Sequence, residues 1–487
     1  MDREQYINSF LSFEDEHNMF QVTMGGVAGW HLFRANICED LANVLGVWKS
    51  LSLQSANIAD VKKTWRDILR ENIVCNQFFA HKRDVLILPK ENKYQDDDGY
   101  FRCIFTDGLD RAMTRTHYLL AGKSFGKAYV KQRSKNLLYL KPDLFEILNK
   151  IMHNYQVISK SELENKLIKP IEESFQITIP ISYKQKWLNH YNAILASRKK
   201  YIYYFNYILN KIKPKVILLV CYFSFDTMIL CEVAKKRNIP VIELQHGIID
   251  RLEAPYNFLR KRQLIYFPDY FFAFGQLVKQ NIRFPIDDKC IIPVGYPELE
   301  SKYKKYRKVK KKPKRKKQIL FISQGVVEIV QYAETVANIL DDQKYSIIIK
   351  LHPSEYGNWE KKYKNYLYNT RIKFVGDTNK TIHSYLAEAD WVVGSCSTSL
   401  WEATMFDAKI AVIKEFDYLI AKELYQNGHA ILVDSPQNLA EEIISDTFKA
   451  NSTNPFFEKN SINNMLKWID KIIEENNKNC KSRSFRI

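Results

Sequence analysis

The stretch that decides the fold is Tyr345-Ser346-Ile347-Ile348-Ile349-Lys350-Leu351-His352-Pro353-Ser354-Glu355. An apolar run rich in isoleucine passes here into a polar loop that opens a helix. The same change follows Ala389-Asp390-Trp391-Val392-Val393, where Gly394-Ser395-Cys396-Ser397-Thr398-Ser399 comes next. In a parallel α/β sheet, ligands bind at the carboxyl ends of the strands, where helix N-termini point at them. Hydroxyls and backbone N–H groups in such loops suit a phosphate, so the two loops predict a nucleotide-phosphate pocket.

Length and composition limit the protein class. A chain of 487 residues with 46% hydrophobic residues predicts at least two domains with substantial cores. The eight cysteines are scattered without a C-x-x-C pair, which argues against a zinc site or a disulfide framework and for a reducing compartment. No signal peptide is visible at the N-terminus, and the longest apolar run, 216–225, is far shorter than the ~20 residues that cross a bilayer. We therefore expect a cytoplasmic protein.

Most of the net charge of +18 lies in one segment. Between Lys302 and Lys317 there are twelve Lys and Arg residues and no acidic residue. A solvated interdomain linker is the simplest interpretation. The alternative is a contact with an acidic glycan or with anionic lipid, which would place the protein peripherally on the inner face of the cytoplasmic membrane. Nucleic-acid binding is not expected, because no aromatic stacking platform or groove-reading helix accompanies the run.

Strand and helix patterns alternate from Lys213 onwards, after a mainly helical N-terminal region and a helical insertion that reaches about residue 210. This alternation predicts two parallel, doubly wound sheets with right-handed crossovers, and a cleft between their carboxyl ends. The predicted domains are 1–301, with helical additions and an acceptor-side role; a basic linker, 302–317; a nucleotide-sugar-binding domain, 318–470; and a tail, 471–487. Within the N-terminal region, Trp30 and Arg34 lie one helical turn apart, which favours helix packing over a sugar contact.

The motif pair Lys350-x-His352-Pro353 and Ser395-x-Ser397-Thr398 resembles the HP and S-S/T motifs of bacterial sialyltransferases, polysialyltransferases and capsule Kdo transferases. Leu244-Gln245-His246-Gly247, Phe267-Pro268-Asp269-Tyr270 and Val294-Gly295-Tyr296-Pro297 are similar to surface-polysaccharide biosynthesis proteins of the same fold. Teichoic-acid glycerophosphotransferases resemble the second domain more distantly. The resemblance covers about 213–450. It implies a GT-B glycosyltransferase, with two Rossmann-like domains facing a central cleft.

In those families the HP histidine and the S-S/T hydroxyls hold the phosphate of the donor. Preplaced donors at that position stabilise the negative charge that develops on the departing phosphate oxygen. Lys350 shares a strand face with His352, Ser323-Gln324-Gly325 ends a neighbouring strand, and Glu402 could accept a hydrogen bond from a ribose. The predicted donor-binding residues are Ser323, Gln324, Gly325, Lys350, His352, Pro353, Ser395, Ser397, Thr398 and Glu402.

A glycosyltransferase that inverts the anomeric centre also needs a base for the acceptor hydroxyl. The sequence offers three candidates: His246, Asp107 and Asp98. His246 follows a predicted strand, and Asp107 ends a second apolar run. Asp97-Asp98-Gly99 matches the D/E-D-G base motif of bacterial sialyltransferases, although an exposed acidic turn would have the same residues. No isolated D-x-D motif at a strand end and no i, i+4 histidine pair is present, so we expect neither a metal nor another cofactor.

The sequence therefore predicts a glycosyltransferase that moves a sugar from a nucleotide-sugar donor to a growing capsular or surface glycan, which could be lipid-linked. A CMP-linked donor is slightly favoured over UDP- or CDP-linked donors. Three alternatives stay open: a glycerophosphotransferase using CDP-glycerol, a UDP-sugar 2-epimerase of the same fold, and a non-catalytic protein that binds a glycan or polyanion. The motifs establish neither the sugar nor the acceptor.

Overall fold

The computed structural model describes residues 1–47, 75–90, 94–95, 101–121, 134–140, 142, 157–307, 316–376, 380–415 and 417–484. These residues form two compact units. Unit 1 contains the described residues up to Gly295 and returns at Asn460, and unit 2 contains those from Tyr296 to Lys459. Asp98 and residues 308–315 of the basic segment lie outside the described residues.

The strands, in chain order, are short and mostly buried. They are β1 (Val85–Leu88), β2 (Tyr94–Gln95), β3 (Phe101–Arg102), β4 (His117–Ala121), β5 (Leu137–Tyr139), β6 (Val216–Val220), β7 (Val241–Leu244), β8 (Tyr270–Ala273), β9 (Ile291–Pro293), β10 (Lys317–Ile322), β11 (Tyr345–Lys350), β12 (Ile372–Val375), β13 (Trp391–Gly394), β14 (Lys409–Ile413) and β15 (Ile431–Val433).

The helices connect the strands and cover them. They are α1 (Arg3–Glu16), α2 (Trp30–Val44), α3 (Asp107–Ala112), α4 (Lys160–Leu163), α5 (Lys169–Phe175), α6 (Ile181–Ile212), α7 (Phe225–Lys235), α8 (Leu277–Asn281), α9 (Pro297–Tyr306), α10 (Val327–Ile339), α11 (Trp359–Lys362), α12 (Ile382–Glu388), α13 (Thr398–Ala403), α14 (Lys422–Gln426), α15 (Pro436–Ser445) and α16 (Ser461–Ser484). A π-helical turn, Glu164–Ile168, joins α4 to α5. No helix among the described residues is long and apolar enough to cross a membrane.

The sheet of unit 1 has seven strands in the order β5-β4-β1-β6-β7-β8-β9, and every neighbouring pair is parallel. Alternate residues of β6 enter two cores. Ile217 and Leu219 pack in a core with α1, α2 and α6, whereas Val216 and Leu218 pack in a core with α16. Burial on both faces explains why β6 is apolar throughout, as central parallel strands are. Helices on both faces make this unit doubly wound, as predicted.

The sheet of unit 2 has six strands in the order β12-β11-β10-β13-β14-β15, and all of its pairs are parallel. This is the strand order of a Rossmann sheet, in which the order reverses between β10 and β13. Helix α10 packs Ile329, Val330 and Ala333 against Ile319 and Phe321 of β10. The predicted α/β fold class, with two Rossmann-like parallel sheets, is confirmed.

The predicted domain boundaries were wrong at two places. The linker was placed at 302–317, but unit 2 already begins at Tyr296, and α9 occupies the first part of that segment. The chain after Asn460 was assigned to the second domain and a tail, but α16 packs in unit 1. Met465, Ile469, Ile472 and Ile473 form one helix face that completes the core behind β6. Because most other residues of α16 are polar, the sequence did not indicate which sheet that face would cover.

Candidate functional site

The carboxyl edge of the unit 2 sheet brings together three of the predicted loops. Ser323 follows β10, His352 comes two residues after β11, and Gly394 ends β13. Because β10 and β13 are neighbours whose connections leave in opposite directions, a crevice is expected between the loops that follow them. The strand order therefore places the Ser323 loop and the Ser395 loop on either side of the position where this kind of sheet binds its ligands.

Glu355 organises two of these loops. Its buried carboxylate accepts hydrogen bonds from Ser323 Oγ at 2.7 Å, from the backbone N–H of His352 at 2.9 Å and from Tyr363 Oη at 2.5 Å. Burial by itself would raise the pKa of Glu355, but these hydrogen bonds, together with the charge of Lys362, outweigh it and lower the pKa. At neutral pH, the hydrogen bonds of the ionised carboxylate therefore connect the end of β10 to the loop that carries His352 and Pro353.

His352 is held in one tautomer by its own loop. Its Nδ1 accepts the backbone N–H of Ser354 at 3.2 Å and lies 2.7 Å from Ser354 Oγ, so His352 caps the 3-10 turn Pro353–Glu355. Burial lowers the pKa of His352, and Glu355 opposes this effect only in part, so the ring is neutral at pH 7. A neutral imidazole that accepts at Nδ1 carries its hydrogen on Nε2. His352 therefore presents an N–H donor, which suits an anionic oxygen.

Lys350 is placed beside aromatic rings. Its buried ammonium group donates to Tyr356 Oη at 2.6 Å and lies 4.8 Å from the centre of the Tyr356 ring. The Tyr385 ring centre is 6.0 Å away. Cation–π contacts of this kind attract a lysine ammonium group to the face of an aromatic ring. Its predicted role in binding phosphate stays a prediction.

The Ser/Thr loop divides into a structural part and an accessible part. Ser395 is fully buried, and its Oγ donates to the backbone carbonyl of Glu415 at 3.0 Å, which fixes the loop to the end of β14. Ser397 caps α13 by accepting the backbone N–H of Ser399 at 3.3 Å, whereas Thr398 is exposed. Of the predicted hydroxyls, that of Thr398 is thus the most accessible to a ligand.

The remaining donor-site residues occupy different environments. Gln324 is half-buried beside Gly325, whose φ of 76° is in the left-handed region, and Pro353 is exposed at the start of its turn. Glu402 is buried in α13, and its Oε2 lies 3.3 Å from Nε2 of His383 in α12. The sequence analysis did not single out His383. The two side chains are within ion-pair distance, but Nε2 of His383 makes no hydrogen bond among the described residues.

The carboxyl edge of the unit 1 sheet carries the Gln245-His246-Gly247 loop after β7. Gln245 is buried, donates through Nε2 to the Gly247 carbonyl at 2.7 Å and accepts the backbone N–H of Phe274 at 2.6 Å. These bonds fix the turn and anchor it to β8. The rings of Phe105, Phe223 and Tyr256 surround the imidazole of His246, with ring-centre distances of 6.1–6.4 Å. His246 is thus a positioned side chain, 15% exposed, at the end of a central strand.

The sequence pattern did not mark two buried titratable residues beside His246, which are Glu243 and Tyr256. Glu243, within β7, is fully buried, and its Oε1 accepts hydrogen bonds from Tyr256 Oη at 2.6 Å and from the backbone N–H of Tyr222 at 3.2 Å. Burial raises the pKa of Glu243 to about 8. Burial, aided by the charge of Lys90, lowers the pKa of His246 to about 3, so its imidazole is neutral at pH 7. A glutamate inside an apolar strand was the only available signal.

Asp107 is the first residue of α3, the helix that follows β1, and its carboxylate pairs with Arg111 of the same helix. The apolar run that Asp107 was predicted to end contains, among its described residues, the two-residue strand β3 and a turn at 104–106. The role of Asp107 as a base stays a prediction. Among the described residues, no group of three or more His, Cys, Asp and Glu side chains is placed to hold a metal ion.

No protein-family model matches the sequence, and a search of curated proteins gives no match. Among solved structures, a putative UDP-N-acetylglucosamine 2-epimerase from Listeria monocytogenes is similar, with a TM-score of 0.48 at 13% identity over 81% of this chain and 97% of that one. The UDP-GlcNAc 2-epimerase from Neisseria meningitidis has a TM-score of 0.47 at 13% identity, over 80% and 100% of the two chains. The wall teichoic acid polymerase TagF has a TM-score of 0.43 at 12% identity, over 80% and 89%. Similarity at this level assigns no activity to the chain.

Proposed function

We propose that the protein is a glycosyltransferase that takes a sugar from a nucleotide-sugar donor, with the donor bound at the carboxyl edge of the unit 2 sheet and His246 as the candidate base. The observation that carries the proposal is that each sheet has a neutral histidine in a loop at its carboxyl edge. His352 is neutral and directs an N–H donor from the edge of the unit 2 sheet. His246 is neutral as well, and it lies at the equivalent edge of the unit 1 sheet. One is suited to a phosphate and the other to a hydroxyl proton.

The reaction follows from these roles. The acceptor O–H bond breaks as its proton passes to His246, and the acceptor oxygen forms a bond to the anomeric carbon of the donor sugar. The bond from that carbon to the phosphate oxygen breaks, and its electron pair stays on the phosphate. Nε2–H of His352 and the Thr398 hydroxyl stabilise the resulting charge, with the ammonium of Lys350 at the end of β11, two residues before His352. A CMP-linked donor is the first choice. The acceptor is a growing capsular or surface polysaccharide of a bacterium, or a lipid-linked glycan.

The test is turnover of CMP-, UDP- and CDP-linked sugars with and without a capsular oligosaccharide acceptor. We expect nucleotide release that depends on the acceptor. His246→Gln is expected to keep donor affinity and to lose turnover by about 10²–10⁴-fold, the usual contribution of a general base. His352→Asn is expected to lose donor affinity, because the substitution removes Nε2–H and leaves a capping side chain. Conversion of a UDP-sugar without acceptor and without nucleotide release would contradict the proposal and indicate an epimerase.

We propose in addition that the basic segment helps the protein to reach an anionic surface. Its described part begins in α9, where Lys302 pairs with Glu298 and Lys304 pairs with Glu300. Neutral replacements of Lys305, Arg307 and Lys316 would remove charge without breaking these two pairs. The variant is expected to bind less to vesicles of anionic lipid at low salt. Unchanged pelleting with vesicles would contradict this proposal and leave the linker interpretation.

A further inference from the structure

We propose that Tyr256 and Glu243 form a buried hydrogen-bond relay that fixes the tautomer of His246, with the hydrogen on Nδ1 and Nε2 left as the proton acceptor. Tyr256 Oη lies 2.6 Å from Glu243 Oε1 and 3.5 Å from His246 Nδ1. The direct distance from His246 Nδ1 to Glu243 Oε1 is 3.8 Å, so the phenol oxygen is the nearer partner of the imidazole. The inference rests on the proposed role of His246 and assigns positioning roles to two residues behind it.

The direction of the relay follows from what Glu243 Oε1 already accepts. The backbone N–H of Tyr222 donates to this oxygen at 3.2 Å and Tyr256 Oη donates to it at 2.6 Å, so Oε1 is the acceptor of both bonds. Tyr256 must then donate its single hydroxyl hydrogen to Oε1. Its oxygen has only acceptor capacity left for His246, which requires the hydrogen of the imidazole on Nδ1.

The cost of placing Glu243 in the sheet supports a role beyond packing. The residue is fully buried in β7, between apolar neighbours, and its Oε2 has no hydrogen-bond partner among the described residues. Burying a carboxyl group with one unsatisfied oxygen is unfavourable, and an apolar residue at this position would pack at lower cost. Tyr256 is likewise fully buried. Of the three residues in the relay, His246 is the one that is half-buried.

The relay leaves Nε2 of the neutral His246 ring as the atom that accepts a proton. When Nε2 takes the acceptor proton, the ring becomes a cation, and its Nδ1–H strengthens the bond to Tyr256 while Glu243 terminates the chain. Groups that orient a base and stabilise its protonated form act in this way without touching the substrate. The contact between His246 and Tyr256 is long, as such contacts often are before substrate binds. Tyr256 and Glu243 are therefore positioning residues.

The experiment is NMR of the full chain with isotopically labelled histidine, in which the His246 signals are assigned by their loss in His246→Gln. We expect the Nδ1–H tautomer in the wild type and a shift towards the Nε2–H tautomer in Tyr256→Phe, which keeps the ring and removes the hydroxyl. Tyr222→Phe is the matched control. It removes a buried hydroxyl that donates to the carbonyl of Pro255, beside Tyr256, and that lies 3.3 Å from His31 Nε2. An Nε2–H tautomer in the wild type, or no change in Tyr256→Phe, would overturn the relay.

The kinetic arm separates the relay from the proposed function. Tyr256→Phe is expected to lower kcat by about 10–100-fold, the usual cost of losing a group that orients a functional histidine, with KM for the donor unchanged. Equal changes in Tyr222→Phe would indicate general loosening of the core and contradict the relay. If the wild type turns over no donor, the proposed function fails, while the tautomer measurement still decides the relay.

Discussion

At the scale of single residues, the ionised side chain of Glu355 connects the loop after β10 to the loop after β11. It receives four hydrogen bonds, from Ser323, Tyr363, the Lys362 ammonium and the backbone N–H of His352. Hydrogen bonds to a charged group are the stronger ones, worth about 1.5–3 kcal/mol. The ionised carboxylate of Glu355 therefore fixes the backbone of His352, while Ser354 holds its ring.

The first prediction concerns Glu355→Gln. The free energy of unfolding is expected to fall by about 2 kcal/mol at pH 7, because the amide can replace only some of the hydrogen bonds made to the carboxylate. The pKa of Glu355 is lowered in the fold from its ordinary value of 4.5, so the ionised form stabilises the fold above that value. This stabilisation is lost as the pH falls below 4.5 towards the lowered pKa.

Urea unfolding of the wild type and the variant between pH 7 and pH 3 measures this difference. Glu360→Gln, an exposed residue of the neighbouring helix α11, is the matched control and is expected to have little effect at any pH. A difference between wild type and Glu355→Gln that does not shrink at acid pH would contradict the assignment of the ionised carboxylate.

Single residues also show how much of the candidate site could be predicted from the sequence. His352, Ser323 and Ser397 were identified because a polar residue directly after an apolar strand is visible in the pattern. Glu355 and Glu243 have their roles through burial, and burial depends on which distant segments cover a residue. Glu355 reads as the first acidic residue of a turn, and Glu243 as an irregularity in β7. Neither pattern reveals that several donors converge on one carboxylate.

At the scale of elements, the turn after β10 depends on a glycine. Gly325 has a φ of 76°, its carbonyl accepts the Lys362 ammonium at 2.6 Å, and its N–H donates to Ser323 Oγ at 3.2 Å. Gly325→Ala is expected to cost about 1–2 kcal/mol, because a Cβ is strained in the left-handed region. A second effect is expected on nucleotide affinity, since the turn positions Ser323.

Gly357→Ala is the control for this prediction. Gly357 is exposed in the same unit, its φ lies outside the left-handed region, and a Cβ there would contact nothing. The control is expected to change the free energy of unfolding by less than about 0.5 kcal/mol, as surface substitutions usually do. Thermal unfolding of both variants measures the difference. Equal destabilisation by the two substitutions would show that the Gly325 turn does not require its backbone conformation.

Helices α1 and α2 are joined by a buried ion pair. Arg34 donates to both carboxylate oxygens of Glu14, at 2.6 and 2.7 Å, to the carbonyl of Asn257 at 3.0 Å, and to that of Ala254. Trp30 Nε1 donates to the same carboxylate at 2.6 Å. The packing interpretation of Trp30 and Arg34 thus describes their contacts. Arg34 also reaches the segment that carries Tyr256, so the N-terminal helices support the surroundings of His246.

Arg34→Met is expected to destabilise the protein by about 3–5 kcal/mol, because Glu14 would be left buried without its charge partner. Arg34→Met combined with Glu14→Gln is expected to be less destabilising than Arg34→Met alone, since the double variant buries no unpaired charge. Urea unfolding followed by circular dichroism compares the two variants. A double variant that is as unstable as the sum of both single variants would contradict the buried pair.

At the scale of the whole molecule, the strand order reverses once in each of the two sheets, and parallel sheets commonly bind ligands at such a reversal. In unit 1 the order reverses between β1 and β6, and in unit 2 between β10 and β13. The sequence predicted most of these strands, because central parallel strands are apolar along their full length. It did not predict that α16 returns to unit 1, since an amphipathic helix carries no information about which sheet its apolar face will cover.

The central claim is that the carboxyl edge of the unit 2 sheet binds the nucleotide of the donor. Thermal stabilisation by CMP, CDP, UDP and GDP, measured on the wild type and on His352→Asn, tests it most directly. We expect one nucleotide to raise the Tm of the wild type, in proportion to its binding, and to have a much smaller effect on the variant. No shift with any of the four nucleotides, or equal shifts in both proteins, would contradict the claim.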